Sequence, residues 1–376
     1  MIASFFRWFR GMDWMLLLVT LPIVGGGLLA MASFVGESRF FERQLVWVLV
    51  SLVVFFLVSQ FDVRVLARTE ILVTLYGIIL LLLLALFVLG TVSKGAQSWF
   101  SFGGFALQPA ELMKLVVILM LAKYFSRRHV EIAHPKHIII SGIYAAIPFL
   151  LVFLQPDFGS AVIIFSIWFG MALIAGISKR HLAILGAVGL LVVGGLWAFV
   201  FKPYQKARIL TFIHPSADLT GSGYNAYQST VAIGSGELIG KGVGFGTQSR
   251  LQFLPEYETD FIFAAFAEEW GFIGVLILLL LFGVLIIRIL ANAMSGASNF
   301  EVLFSAGVAI YFITHIIINV GMNLKLLPVT GITLPFMSYG GSHLVTEYAA
   351  LGIVVAMRRY RRALHRQDLE HEFVGA

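Results

Sequence analysis

Residues 71–90 read ILVTLYGIILLLLLALFVLG, a run without a charged side chain. A helix rises about 1.5 Å per residue, so this run is about 30 Å long, the thickness of a bilayer's hydrocarbon core. Comparable apolar runs lie at 14–34, 45–61, 110–125, 138–154, 158–176, 182–201, 261–287, 302–322 and 343–357. Together they predict an all-α integral membrane protein with about ten transmembrane helices, forming a single polytopic domain over residues 1–376. The composition agrees. Hydrophobic residues make up 59% of the chain and charged residues 12%, against roughly 25% charged in a soluble chain. A soluble fold would lack the charged surface needed to stay dissolved.

Arg7 and Arg10 precede the first run, and Ala30-Met31-Ala32 has the small-x-small form of a signal-peptide cleavage site. The run Trp14–Phe34 is nevertheless long enough to span, and a retained first span is expected. Lysine and arginine orient the stack. With the N-terminus inside, the inner segments collect Arg127, Arg128, Lys179, Arg180, Arg288 and the Arg358–Arg362 cluster, whereas the short outer segments hold Arg39, Arg43, Lys94 and Lys325. Both termini are then cytoplasmic, with a cytoplasmic tail at 358–376. This placement of the positive charge argues for membrane orientation rather than a nucleic-acid partner. The chain has no cysteine, which excludes disulfides, thiolate metal sites and cysteine nucleophiles.

Between the seventh and eighth runs lies a long segment, 202–260, expected to be an extracytoplasmic loop. It is rich in glycine and aromatic residues, and loops longer than about 15 residues are usually functional or disordered. Its Ala232-Ile233, Leu238-Ile239 and Leu251–Leu254 pieces are apolar enough to lie at the membrane interface. An ordered, partly re-entrant or surface-lying loop is expected, since non-helical backbone at membrane depth needs protein or water beside it.

Ionisable groups inside a membrane cost several kcal/mol unless paired or hydrated. Glu111 and Lys114 are three residues apart on one helix face, and form either a neutral pair that orients helices or the charged wall of a polar cavity. Asp157 follows Gln155-Pro156 at an outer turn, as a helix cap or a site residue. Asp260 ends the long loop at the water–lipid boundary, either as a helix cap or as a carboxylate that acts as a base. Glu268 and Glu269 lie about 12 Å deeper at a rise of about 1.5 Å per residue, as proton relays or structural groups. His315 and Asn319 are expected to bond between helices. No Walker loop or dinucleotide fingerprint occurs.

Several strings, in order, resemble the SEDS family of bacterial membrane proteins (shape, elongation, division and sporulation). They are Ser93-Lys94-Gly95-Ala96-Gln97-Ser98-Trp99, Gln108-Pro109-Ala110-Glu111 with Lys114, and Gln155-Pro156-Asp157-Phe158-Gly159. Tyr204-Gln205 with Arg208, Gly221–Gly223-Tyr224, Ala232-Ile233-Gly234-Ser235-Gly236 and Gly240-Lys241-Gly242 follow. The last are Phe253-Leu254-Pro255-Glu256, Thr259-Asp260-Phe261 and Leu334-Pro335-Phe336-Met337-Ser338-Tyr339-Gly340-Gly341-Ser342. The Ser-Lys-Gly-Ala-Gln string is closer to the elongation branch than to the division branch. His214, Leu219, Glu237, Thr333 and Glu347 depart from the family pattern.

The resemblance implies a peptidoglycan glycosyltransferase of the bacterial cytoplasmic membrane, acting in cell elongation and cell shape. Such an enzyme polymerises lipid II, the undecaprenyl-linked disaccharide-pentapeptide, into glycan strands on the outer face. It works with a class B penicillin-binding protein and other membrane proteins of the elongation complex. The family's essential loop aspartate maps onto Asp260. The reaction needs a base for the acceptor hydroxyl and positive charge at the departing diphosphate. Lys94, Lys114, Arg208, Lys241 and Arg250 are candidates for that charge, with Glu111 and Asp157 as further substrate-binding residues. No resident cofactor or metal ligand set is expected from the sequence, and a divalent cation held by carboxylates is the alternative source of charge. A lipid II flippase and a non-catalytic scaffold for the transpeptidase are the competing readings.

Overall fold

The computed structural model describes residues 12–33, 38–93, 96–102, 105–127, 135–200, 206, 210, 222–251, 253–294, 296 and 298–374. Ten long helices account for most of them: α1 (Trp14–Ala32), α2 (Ser38–Ser59), α4 (Thr69–Leu89), α5 (Pro109–Ser126), α6 (Pro135–Leu154), α7 (Phe158–Ala175), α8 (Lys179–Gly195), α11 (Ile262–Met294), α12 (Asn299–Asn323) and α13 (Gly341–Val374). The short α3 (Val63–Leu66), α9 (Ser222–Ser235) and α10 (Thr247–Arg250) join them. Seven of the long helices are long and apolar enough to cross a membrane. The remaining three, α5, α8 and α13, coincide with the other apolar runs of the sequence.

α5 shows why a span can escape a simple apolarity test. It carries Glu111, Lys114 and Lys123. Charges of that kind are tolerated only where they face protein or a cavity. Accordingly, α5 is buried on nearly every face, from Pro109 to Phe125, and packs against α4, α7 and α12. α2 pairs with α13, and α1 with α11.

The expectation of an all-helical chain needs one correction. Between α4 and α5, β1 (Thr91–Ser93), β2 (Ala96–Phe102) and β3 (Phe105–Leu107) form an antiparallel sheet in the order β1-β2-β3. Thr91 pairs with Trp99 and Ser101 with Ala106. These strands are too short and too irregular for a two-residue alternation to stand out in the sequence. In addition, α13 continues as one helix through Val374, past the residue 357 at which the apolar run ends.

Asp13, just before α1, accepts hydrogen bonds from Arg288 Nε (2.9 Å) and Asn292 Nδ2 (3.0 Å) of α11 and pairs with Arg358 of α13. Burial works against its charged form. The surrounding donors and cations outweigh burial and hold the carboxyl below the usual carboxylate range. At the opposite end of α1, Ser33 Oγ donates to Glu269 Oε1 of α11. The two helices are therefore antiparallel neighbours, tied at both ends.

α11 is interrupted at Gly271 (φ 64°, ψ −168°). The return of the long loop passes through this break. Lys241 N donates to Glu268 O (3.0 Å) and Gly242 N to Glu269 O (3.0 Å), while Phe272 N donates to Glu237 O (2.9 Å) and Ile273 N to Leu238 O (3.0 Å). Backbone groups freed by the break are thus satisfied by the loop, and the loop's by the helix. Gly240 permits the approach, because a Cβ there would collide with the Glu269 carbonyl. Glu237, one of the departures from the family pattern, takes a left-handed conformation (φ 48°) that favours glycine.

Candidate functional site

A cavity of about 250 Å³ opens among the N-terminal ends of α5, α7 and α13 and the segment that leads into α11. Its lining includes Gln108, Glu111 and Lys114 from α5 and its cap, and Asp157 and Ser160 from the start of α7. Thr259 and Asp260 precede α11, Gly340 and His343 belong to the entry into α13, and His315 comes from α12. Residues 330–333 and Ser98-Trp99 of β2 close the sides. Four helices therefore begin at one cavity. Each helix N-terminus carries roughly half a positive charge on unpaired N–H groups, so the arrangement suits an anion.

Local sequence positions each wall. Pro109 sits at the first turn of α5, where a missing N–H costs nothing. Asp157 caps α7: its Oδ1 accepts from Ser160 N (3.0 Å). Its Oδ2 accepts from Gln108 Nε2 (2.8 Å), which ties the two helix starts together. The cap reading of this residue is realised, and the residue also lines the cavity. Burial pushes the Asp157 carboxyl up, opposed by the Ser160 N–H and by the charge of Lys114. Ser342 Oγ donates to Ala106 O (2.9 Å) and accepts from Gln108 N (3.1 Å), joining α13 to β3 and α5.

Asp260 is held through its backbone. Its carbonyl accepts from Asn319 Nδ2 (3.0 Å) and Asn323 Nδ2 (3.1 Å) of α12. Ser338 Oγ donates to the preceding carbonyl, Thr259 O (2.6 Å), and Tyr339 N to Glu258 O (2.8 Å). The fixed backbone leaves the carboxylate in the cavity wall beside Gly331.

Lys114 Nζ pairs with Glu111 Oε1 (2.7 Å) and lies 3.5 Å from His315 Nε2. His315 Nδ1 meets Thr333 O at 3.2 Å. A carbonyl only accepts, so Nδ1 carries the proton, and Nε2 of the neutral ring is the acceptor facing Lys114. Among the described residues, Lys114 is the lysine or arginine in the cavity lining. Glu111 Oε2 is buried without a hydrogen-bond partner.

Of the residues singled out in the sequence, Glu111, Lys114, Asp157 and Asp260 come together here. Lys241 does not line the cavity: its ammonium pairs with Glu268 (2.7 Å). Arg250 is exposed at the end of α10 and is not a lining residue. Lys94 and Arg208 lie outside the described residues. Glu268 and Glu269 are not lining residues either. Glu268 Oε1 accepts from Lys241 Nζ, Thr247 N (2.8 Å) and Gln248 N (3.1 Å), and Glu269 Oε1 accepts from Gly244 N (3.0 Å) and Ser33 Oγ. They fasten the loop at the Ser33 end of α1 rather than forming a deeper relay. Sequence reasoning passed over Gln108 and His343 as site residues. Both stand in or beside strings already noted, at helix starts that converge only in three dimensions.

Among the described residues no three His, Asp or Glu side chains gather closely enough to hold a metal ion.

The model of the FtsW/RodA/SpoVE family, described as cell cycle protein, matches residues 13–363. The chain is 35% identical over 352 residues to the peptidoglycan glycosyltransferase MrdB of Escherichia coli K12, covering 93% of this chain and 94% of the relative. A probable peptidoglycan glycosyltransferase FtsW of Thiomicrospira cyclica is 37% identical over 369 residues, covering 92% and 91%. Among solved structures, a chain from a peptidoglycan synthase complex, in a study of how polymerization and crosslinking are coordinated, superimposes with TM-score 0.80 at 33% identity, covering 93% and 98%. The rod shape determining protein RodA of Thermus thermophilus superimposes with TM-score 0.70 at 31% identity, covering 93% and 97%.

Proposed function

This chain belongs to the FtsW/RodA/SpoVE family and is a multi-pass peptidoglycan glycosyltransferase of the cytoplasmic membrane, and we propose that the cavity around Asp260 is where it joins lipid II units into glycan strands. The observation that carries this reading is the meeting of Asp260 and Asp157, one buried lysine–glutamate pair and four helix N-termini around a single cavity.

Asp260 takes the proton of the acceptor's sugar 4-hydroxyl as that oxygen attacks the anomeric carbon of the donor. The donor leaves as a lipid diphosphate. Lys114 and the helix N-termini meet its negative charge without reorganising, while Glu111 and His315 hold Lys114 in place. The new linkage is β, so displacement from an α-linked donor inverts in one step, with no covalent enzyme intermediate. The polyprenyl chain stays in the bilayer and the sugars lie at the cavity around Asp260.

In this reading the chain crosses the membrane ten times with both termini cytoplasmic and the cavity extracytoplasmic. The topology supports it, because α5, α7, α11 and α13 are alternate spans and all begin at the cavity. A class B penicillin-binding protein crosslinks the strands, with elongation as the process served. The flippase alternative calls for polar groups through the full depth of the bundle, whereas Glu268 and Glu269 are engaged by the loop. Purified protein given labelled lipid II is expected to produce a ladder of glycan strands on a gel. Transport of the lipid without new glycosidic bonds would overturn the proposal.

A further inference from the structure

The turn at 237–245 presents large apolar side chains outward. Ile239 is 78% exposed and Phe245 67%, and Leu238 is exposed as well. Exposure of this kind in one short segment marks a contact surface rather than chance. Its position identifies the contact. Glu237 O and Leu238 O accept from Phe272 N and Ile273 N, so the turn is level with those residues. Phe272 is 59% exposed on a helix apolar enough to cross a membrane, and its side chain faces lipid. The turn therefore stands level with the exposed apolar surface of α11, with Leu238, Ile239 and Phe245 outward and Glu237 also exposed at its start.

The depth follows from helix geometry. Arg288, bound to Asp13, marks one boundary of the bundle. Gly271 lies 17 residues away along α11, or about 25 Å at 1.5 Å per residue, within a hydrocarbon core of about 30 Å. Irregular backbone at that depth is tolerated when protein satisfies it. The hydrogen bonds to both sides of the Gly271 break do so. Lys241, 29% exposed, turns its ammonium back to Glu268 and Thr247 Oγ1 (2.8 Å) instead of leaving it in hydrocarbon.

We infer that residues 237–245 form a membrane-seated turn whose partner is the acyl-chain region of the outer leaflet, with Leu238, Ile239 and Phe245 as the inserted side chains. The leaflet named rests on the extracytoplasmic placement of the loop; the insertion itself does not. Glu268 and Glu269 then link the lipid-seated turn to the segment that carries Asp260, so the cavity is held at a set height above the bilayer, where lipid-linked sugars arrive.

The native chain has no cysteine, so single-cysteine variants can be spin-labelled directly. Ile239→Cys is reconstituted, without a transpeptidase, in vesicles of phosphatidylethanolamine and phosphatidylglycerol, and collisions with oxygen and with a water-soluble nickel chelate are measured. Leu280→Cys serves as the lipid reference and Glu42→Cys as the aqueous one. The expected oxygen-to-nickel ratio at Ile239 is several-fold above that at Glu42 and close to that at Leu280. A ratio like that of Glu42 overturns the inference, as does a label that becomes shielded only when a transpeptidase is added, which would make the face a protein interface. Phe245→Cys repeats the test where a label at Ile239 disturbs folding, and polymerising activity plays no part in either readout.

Discussion

Two lysine–glutamate pairs in this molecule have the same length and opposite characters. Lys114–Glu111 and Lys241–Glu268 both close at 2.7 Å. In the first, both side chains are buried in the bundle, and Glu111 Oε2 has no hydrogen-bond partner. In the second, Glu268 is saturated by the backbone and side chains of the loop, and Lys241 reaches it from the surface. Charge pairing alone therefore does not mark a site. A pair with unmet bonding capacity at the wall of a cavity is available to a substrate. A pair whose acceptor is fully engaged holds structure together.

The sharpest way to break this comparison is to remove each cation. Lys114→Met is expected to lower polymerisation by roughly 10²–10³-fold, the usual loss for one electrostatic donor at a developing charge. Part of the damage is to folding, since Glu111 is left buried and unpaired, at about 3–5 kcal/mol. A Glu111→Leu, Lys114→Met double variant is expected to recover thermal stability without recovering activity. Recovery of both would reduce the pair to a structural strut. Lys241→Met, by contrast, is expected to retain most of the activity in the same gel assay.

A smaller effect is expected from Glu268→Gln. It weakens the acceptor shared by Lys241, Thr247 and Gln248, at about 1–3 kcal/mol, seen as a lower unfolding temperature in detergent. Activity should fall less than in Lys114→Met. The reverse order would move the chemistry from the cavity to the loop clamp.

The smallest effect concerns Asp157, whose carboxyl burial raises above its ordinary 3.8. A carboxyl raised on folding favours the folded state at low pH, and that contribution is lost as pH rises through the raised value. Asp157→Asn keeps a competent helix cap and removes this titration. Its unfolding temperature at neutral pH is expected to equal or exceed that of the unaltered protein, with a flatter dependence on pH above the ordinary carboxylate range. A large loss of stability at neutral pH would contradict the burial account.

Much of this was legible in the sequence because the bilayer imposes a length scale. Runs such as 71–90 locate spans without reference to any partner. Glu111, Lys114, Asp157 and Asp260 were legible because each sits at a helix start beside a distinctive string. Lys241 was misplaced among the substrate-binding candidates for a physical reason: its acid, Glu268, is 27 residues away, and no local periodicity says which carboxylate a loop lysine will find. The choice between relay and structural roles for Glu268 and Glu269 was open for a related reason, since their partners Lys241, Thr247, Gly244 and Ser33 are distant along the chain. His343 was missed because its place in the cavity lining depends on four helix starts meeting, a tertiary fact with no signature in its own neighbourhood.

The central claim is that Asp260 accepts the proton of the attacking hydroxyl. Purified Asp260→Asn protein, in which the backbone bonds from Asn319 and Asn323 to the Asp260 carbonyl are retained, is given labelled lipid II beside the unaltered protein. The account predicts no glycan strands from a protein that still inserts in membranes and unfolds at a similar temperature. Strands formed at the unaltered rate would contradict it.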